Sequence, residues 1–95
     1  MPALKAKQVQ IQLKALSHWS KRAQALVRTF QFEGFLEGLK FVNQIAKRAE
    51  KINHHPDIDI RFNKVTLTLT SHDEGGITDK DFSLARQCDA AFSSL

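Results

Sequence analysis

The run "IDIRFNKVTLTLT", Ile58 to Thr70, limits the fold more than any other part of the chain. Ile58, Ile60 and Phe62 alternate with Asp57, Asp59 and Arg61, and Val65, Leu67 and Leu69 alternate with Thr66, Thr68 and Thr70. A period of two puts successive side chains on opposite faces of a strand. Each strand therefore has one apolar and one polar face, as in an antiparallel sheet covered on one side only. Asn63-Lys64 reads as a two-residue hairpin connection, and parity assigns Phe62 to the core. The same count carries His72 onto the threonine face, away from the apolar side.

The rest of the chain supplies the cover. "ALVRTFQF" reads as a strand with Leu26, Phe30 and Phe32 on one face and Val27, Thr29 and Gln31 on the other. "SHWSKR" is its antiparallel partner through Ala23-Gln24. From Glu33 to Lys51 the period lengthens, and Phe35, Leu39, Val42, Ala46 and Ala49 form one stripe of an amphipathic helix. Lys47, Arg48 and Lys51 suit the negative end of its dipole, and Pro56 forbids continuation. "TDKDFSLARQCDAAF" reads as another amphipathic helix, with Phe82, Ala85, Cys88, Phe92 and Leu95 on one side. Residues 3–16 fit either period, but their composition favours helix. The expectation is one α+β domain over 1–95, ordered α-β-β-α-β-β-α, with helices packed on one face of a four-stranded antiparallel sheet.

Composition removes several classes. With 42% hydrophobic and 25% charged residues the chain is not disordered. A single cysteine, Cys88, cannot form an internal disulfide, which fits a reducing compartment. No apolar run reaches the ~20 residues of a membrane span, and "MPALKAKQVQ" lacks a signal-peptide core. The net charge of +4 is uneven: Lys5, Lys7, Lys14, Lys21, Arg22 and Arg28 precede the first acid, Glu33. That start is compatible with organelle import, but these cations are not interleaved with aromatics as nucleic-acid binding requires. A cytoplasmic protein that contacts neither membrane nor nucleic acid is expected.

Two of the four histidines, His54 and His55, stand side by side where the long helix ends, and His72 stands where the last strand ends. Both junctions can share one rim of a small sheet. Adjacent histidines diverge, and with one cysteine and no HExxH-like pair a zinc site is disfavoured. Cys88 falls on an apolar stripe, where burial makes thiols inert. Histidine acid/base chemistry remains, since imidazole exchanges protons near neutrality. Asp81 stands three residues after Thr78, the spacing of a capping box. Glu50 sits at a helix end whose dipole disfavours an acid.

The spacing Glu50-x3-His54-His55-Pro56-x5-Phe62-x9-His72-x8-Asp81 resembles the signature of the pterin-4a-carbinolamine dehydratase family, also known as dimerisation cofactors of a homeodomain transcription factor. "FNKV", "TLTSHDEGGIT", "RTFQFEGF" and Trp19 extend the resemblance over residues ~15–95. It implies a homo-oligomer that dehydrates pterin-4a-carbinolamine, left by an aromatic amino acid hydroxylase, without metal or other cofactor. It implies His54 and His72 as the acid/base groups, with His55 positioning the pterin and sharing the proton traffic. Glu50, Asp81, Trp19 and Pro56 are the implied substrate-binding set, with Glu50 and Asp81 orienting the histidines or holding substrate and Trp19 lining the pocket, although Asp81 could only cap its helix and Trp19 could be core. The family commonly has aspartate before the histidine pair, where this chain has Asn53. The implied alternative is a non-catalytic dimerisation module that partners a regulatory protein.

Overall fold

The computed structural model describes residues 2–95. Helix α1 spans Ala6–Leu13 and is followed by strands β1, Ser20–Arg22, and β2, Ala25–Gln31. Helix α2 spans Phe35–Ile52, strands β3 and β4 span Asp57–Arg61 and Lys64–Leu69, and helix α3 spans Asp79–Ser93. A single 3₁₀ turn, His72–Glu74, lies between β4 and α3. The four strands form one antiparallel sheet in the order β1-β2-β4-β3. This is the α+β architecture that the periodicities predict.

Parity in β4 holds: Val65, Leu67 and Leu69 are fully buried, while Thr66, Thr68 and Thr70 are half-buried on the other face. Leu26 and Phe30 of β2 join that core, and the rings of Phe30, Phe32, Phe41 and Phe92 pack tilted or edge-on against one another, with Phe32 and Phe92 partly buried. Arg28 shares this face of β2. Its guanidinium lies 4.1 Å from the centre of the Phe30 ring and pairs with Asp89 of α3 at 2.6 Å. Stacking and pairing together let a cation sit at the edge of an apolar layer.

Four expectations are corrected. The buried stripe of α2 is Gly38, Phe41, Ile45 and Ala49, so of the stripe read from sequence only Ala49 is buried. Phe35 is largely exposed, and Leu36 is 70% exposed. The helix carries two apolar stripes, and the sheet accepts the one on which Gly38 comes close to Phe32 and Val65. The hairpin connection is Phe62-Asn63 rather than Asn63-Lys64, since Arg61 pairs with Lys64. Phe62 therefore leaves the alternation: it adopts φ 52° and is 70% exposed, not core. Leu95, beyond the end of α3, is also exposed.

Where α2 stops determines the site. Asn53 takes the left-handed conformation, φ 52° and ψ 46°. Its N–H returns to the Glu50 carbonyl and the His54 N–H to the Ala49 carbonyl at 3.0 Å. This closing pattern satisfies orphan carbonyls, and asparagine tolerates the conformation better than most residues. The chain is thereby folded back across the helix end before Pro56 leads it into β3.

Candidate active site

The backward turn at Asn53 separates the two histidines. His54 points inward, with 12% of its side chain exposed, and His55 points outward, with 54% exposed. His54 Nε2 meets Asp81 Oδ1 at 2.6 Å, and His55 Nε2 meets Glu50 Oε2 one turn back along α2. Each member of the pair thus has its own carboxylate. A carboxylate accepts a hydrogen, so the contact assigns the His54 hydrogen to Nε2. Nδ1 has no partner and is not buried, which leaves it as the nitrogen open to solvent.

Asp81 is fully buried in the first turn of α3. Its Oδ2 accepts the Thr78 N–H at 2.8 Å and the Ser71 hydroxyl at 2.9 Å, while Oδ1 serves His54. The capping box and the contact to histidine are therefore both present, one on each oxygen. Placing a carboxylate in the first turn also suits the helix dipole.

His72 comes from a different segment, the one that follows β4. Ser71 and Gly76 pair through their backbones, with Ser71 N–H to Gly76 O at 2.9 Å, and close a short loop. Gly75 supplies the left-handed turn, φ 76°, that brings the loop round. His72 stands at the start of this loop, exposed as parity predicts, and its ring makes no hydrogen bond or ion pair among the described residues.

His54, His55 and His72 line one depression of about 390 Å³, together with Asn53, Thr70, Ser71, Asp73, Glu74, Thr78 and Lys80. A neighbouring depression of about 380 Å³ shares Thr70 and His72 and continues over the polar sheet face past Thr68 and Asp57 to Arg22. A larger cleft of about 980 Å³ lies at the other end of the layer, among Phe32, Lys40 and Leu95, and holds no histidine. The three clustered histidines share the depression of about 390 Å³. Among the described residues, no group of three or more His, Cys, Asp or Glu could hold a metal ion.

The remaining expected residues fall outside the depression. Glu50 reaches it only through His55, and half-buried Pro56 shapes the chain behind the pair without lining it. The pocket-lining expectation for Trp19 is corrected. The indole is buried in the core against Phe30 and donates Nε1–H to Asp89 at 2.8 Å, at the far end of α3. Sequence reasoning missed Ser71. The parity of 65, 67 and 69 continues to 71, and a serine on the buried side needs a hydrogen-bond partner.

Comparison with known proteins identifies the family. The family described as pterin 4 alpha carbinolamine dehydratase matches residues 2–91, and the chain belongs to that family. A protein from Picosynechococcus sp. with the provisional name pterin-4-alpha-carbinolamine dehydratase is 49% identical over 82% of this chain and 85% of its own length. One from Herpetosiphon aurantiacus, provisionally named in the same way, is 45% identical over 99% of this chain and 98% of its own. The crystal structure of a transcriptional coactivator/pterin dehydratase from Brucella melitensis superposes with a TM-score of 0.90 at 35% identity, covering 94% of this chain and 97% of that one. A pterin dehydratase-like RuBisCO assembly factor of the alpha-carboxysome shares the fold, with a TM-score of 0.64 at 21% identity, over 78% of this chain and 86% of its own.

Proposed function

We propose that the chain dehydrates a 4a-hydroxytetrahydropterin to the quinonoid dihydropterin. The observation that carries this reading is the Asp81-backed His54 sharing one depression with His55 and His72. In the reaction the C4a–O bond breaks, the N5 proton leaves, and the N–H electron pair becomes the C4a=N5 double bond. The departing hydroxide takes a proton and becomes water. One group must accept a proton and another must give one.

His54 is suited to accept. Asp81 holds Nε2–H, Nδ1 is free, and the carboxylate stabilises the imidazolium that forms, as in other Asp–His pairs. His72, whose ring has no partner among the described residues and lines the same depression, is suited to hand a proton to the leaving hydroxyl. His55, tethered to Glu50 and closer to solvent, positions the pterin and exchanges protons with water. The adjoining depression toward Arg22 gives the pterin side chain room. Neither step requires a metal. The test is a dehydration assay with chemically generated 4a-hydroxytetrahydropterin, in which added protein accelerates the reaction well above the buffer rate. A rate equal to buffer contradicts the reading.

A second reading has one observation in its favour. Phe35 and Leu36 leave apolar surface on α2, as on a module that docks a partner, and the Brucella relative is described as both coactivator and dehydratase. Under that reading, changing the histidines alters neither surface nor partner binding.

A further inference from the structure

Two hydroxyls behind the histidine wall have a directional arrangement that capping alone does not explain. Ser71 and Thr78 are 2% and 1% exposed, and their oxygens lie 2.8 Å apart. The Ser71 proton goes to Asp81 Oδ2, and Thr78 Oγ1 already accepts the Lys80 N–H at 3.2 Å. The only proton left for the contact between the hydroxyls is that of Thr78. Donation therefore runs one way, from Thr78 to Ser71 to Asp81, and meets the Nε2–H of His54 on the far oxygen.

We infer that Ser71 and Thr78 are positioning residues that lock the Asp81 carboxylate and, through it, the Nε2–H tautomer of His54. The inference rests on the reading of His54 as the proton acceptor. The last torsion of an aspartate is broad, so the number of donors on its carboxyl sets how tightly it is held. The Thr78 N–H alone holds Oδ2 from one side, and Ser71 supplies the second anchor. Hydrogen bonds in series also polarise one another, so each one strengthens the next. Ser71 is itself fixed by its backbone pairing with Gly76, which makes the anchor part of the loop that presents His72. One short segment thus bears on both His54 and His72.

The test uses Ser71→Ala in the full chain, read in two ways. Imidazole ¹⁵N spectra of the protein without substrate report the His54 tautomer, and dehydration kinetics report kcat and KM separately. Wild type is expected to show the Nε2–H form alone. Ser71→Ala is expected to show mixed tautomers and a kcat lower by about 10-fold to 100-fold, the range for losing a hydrogen bond to a charged group, with KM little changed. Thr78→Val, which deletes the other hydroxyl, should shift the spectra in the same direction, and Thr78→Ser should retain the Nε2–H signature. If Ser71→Ala does not fold, the two Thr78 variants decide alone. Unmixed tautomers in folded Ser71→Ala and Thr78→Val overturn the inference. Mixed tautomers in a protein that does not dehydrate pterin leave the inference standing and remove the proposed reaction instead.

Discussion

His54 and Asp81, 27 positions apart in sequence, meet at 2.6 Å where the end of α2 faces the start of α3. The contact joins a helix C-terminus, which the left-handed Asn53 turns back, to a helix N-terminus that the same aspartate caps. The helix cap and the histidine contact therefore share a single carboxylate.

Asp81→Asn should separate those two roles. The amide can keep one oxygen for the Thr78 and Ser71 donors, but it then turns its NH₂ toward His54 and forces Nε2 to accept. The tautomer inverts. Stability should fall by about 1–2 kcal/mol, the scale of a damaged cap, while dehydration slows by roughly 10²–10⁴-fold, the usual worth of acid–base catalysis. Urea unfolding and kinetics on the same preparation check both. An active, destabilised variant would show that Asp81 is only a cap.

Asn53 is predicted to matter through its backbone. Alanine at φ 52° should cost about 1 kcal/mol because its Cβ crowds the following carbonyl, whereas glycine should fold as well as wild type. Thermal unfolding of the two variants checks this. If alanine is tolerated equally, the turn is not set by this residue.

This turn shows how far the sequence could be read. Alternation in 58–70 and the long period in 33–51 disclosed the layers, because burial on one face leaves a regular trace. The choice between two stripes on α2 was hidden, since Gly38 lets the helix approach the sheet yet adds nothing to an apolar count. Parity failed at Phe62, where the hairpin turns one residue early. The histidines were legible through spacing and resemblance. Glu50 and Asp81 were legible as their carboxylates through the resemblance, but which carboxylate meets which histidine was not, because the His54–Asp81 contact depends on a left-handed residue and a cap from different elements. Ser71 was legible in principle, by carrying the parity of β4 one step further.

Cys88 should be inert in the folded protein. Burial, with Asp89 adding a smaller push, raises its thiol from 9.0 to about 12. That cuts the thiolate fraction near neutral pH by on the order of a thousandfold. Iodoacetamide at pH 8 should label the unfolded chain at least a hundred times faster than the native one. The sign for stability follows. The unfolded thiol ionises first, so this contribution is complete below pH 9 and is lost as the pH rises toward 12. Native labelling as fast as in denaturant would contradict the burial.

Self-association is expected from the uncovered surface. β3 is an edge strand whose Ile58 and Ile60 remain 38% and 37% exposed, next to Phe62, and α2 leaves Phe35 and Leu36 open. Apolar edges of this kind recruit a partner strand or helix. Light scattering at micromolar concentration should return a multiple of 10.8 kDa, and Leu36→Glu or Ile60→Lys should lower it. A wild-type mass of one chain would count against this.

The central claim is that the histidine wall performs a dehydration, and the rate with chemically generated 4a-hydroxytetrahydropterin tests it most directly when wild type and His72→Ala are compared. His72 is exposed at the start of a loop and its ring makes no hydrogen bond among the described residues, so its loss should change stability by no more than about 0.5 kcal/mol. The account predicts a folded His72→Ala protein whose rate is lower than wild type by roughly 10²–10⁴-fold. A folded variant that matches wild type, or a wild type no faster than buffer, contradicts it.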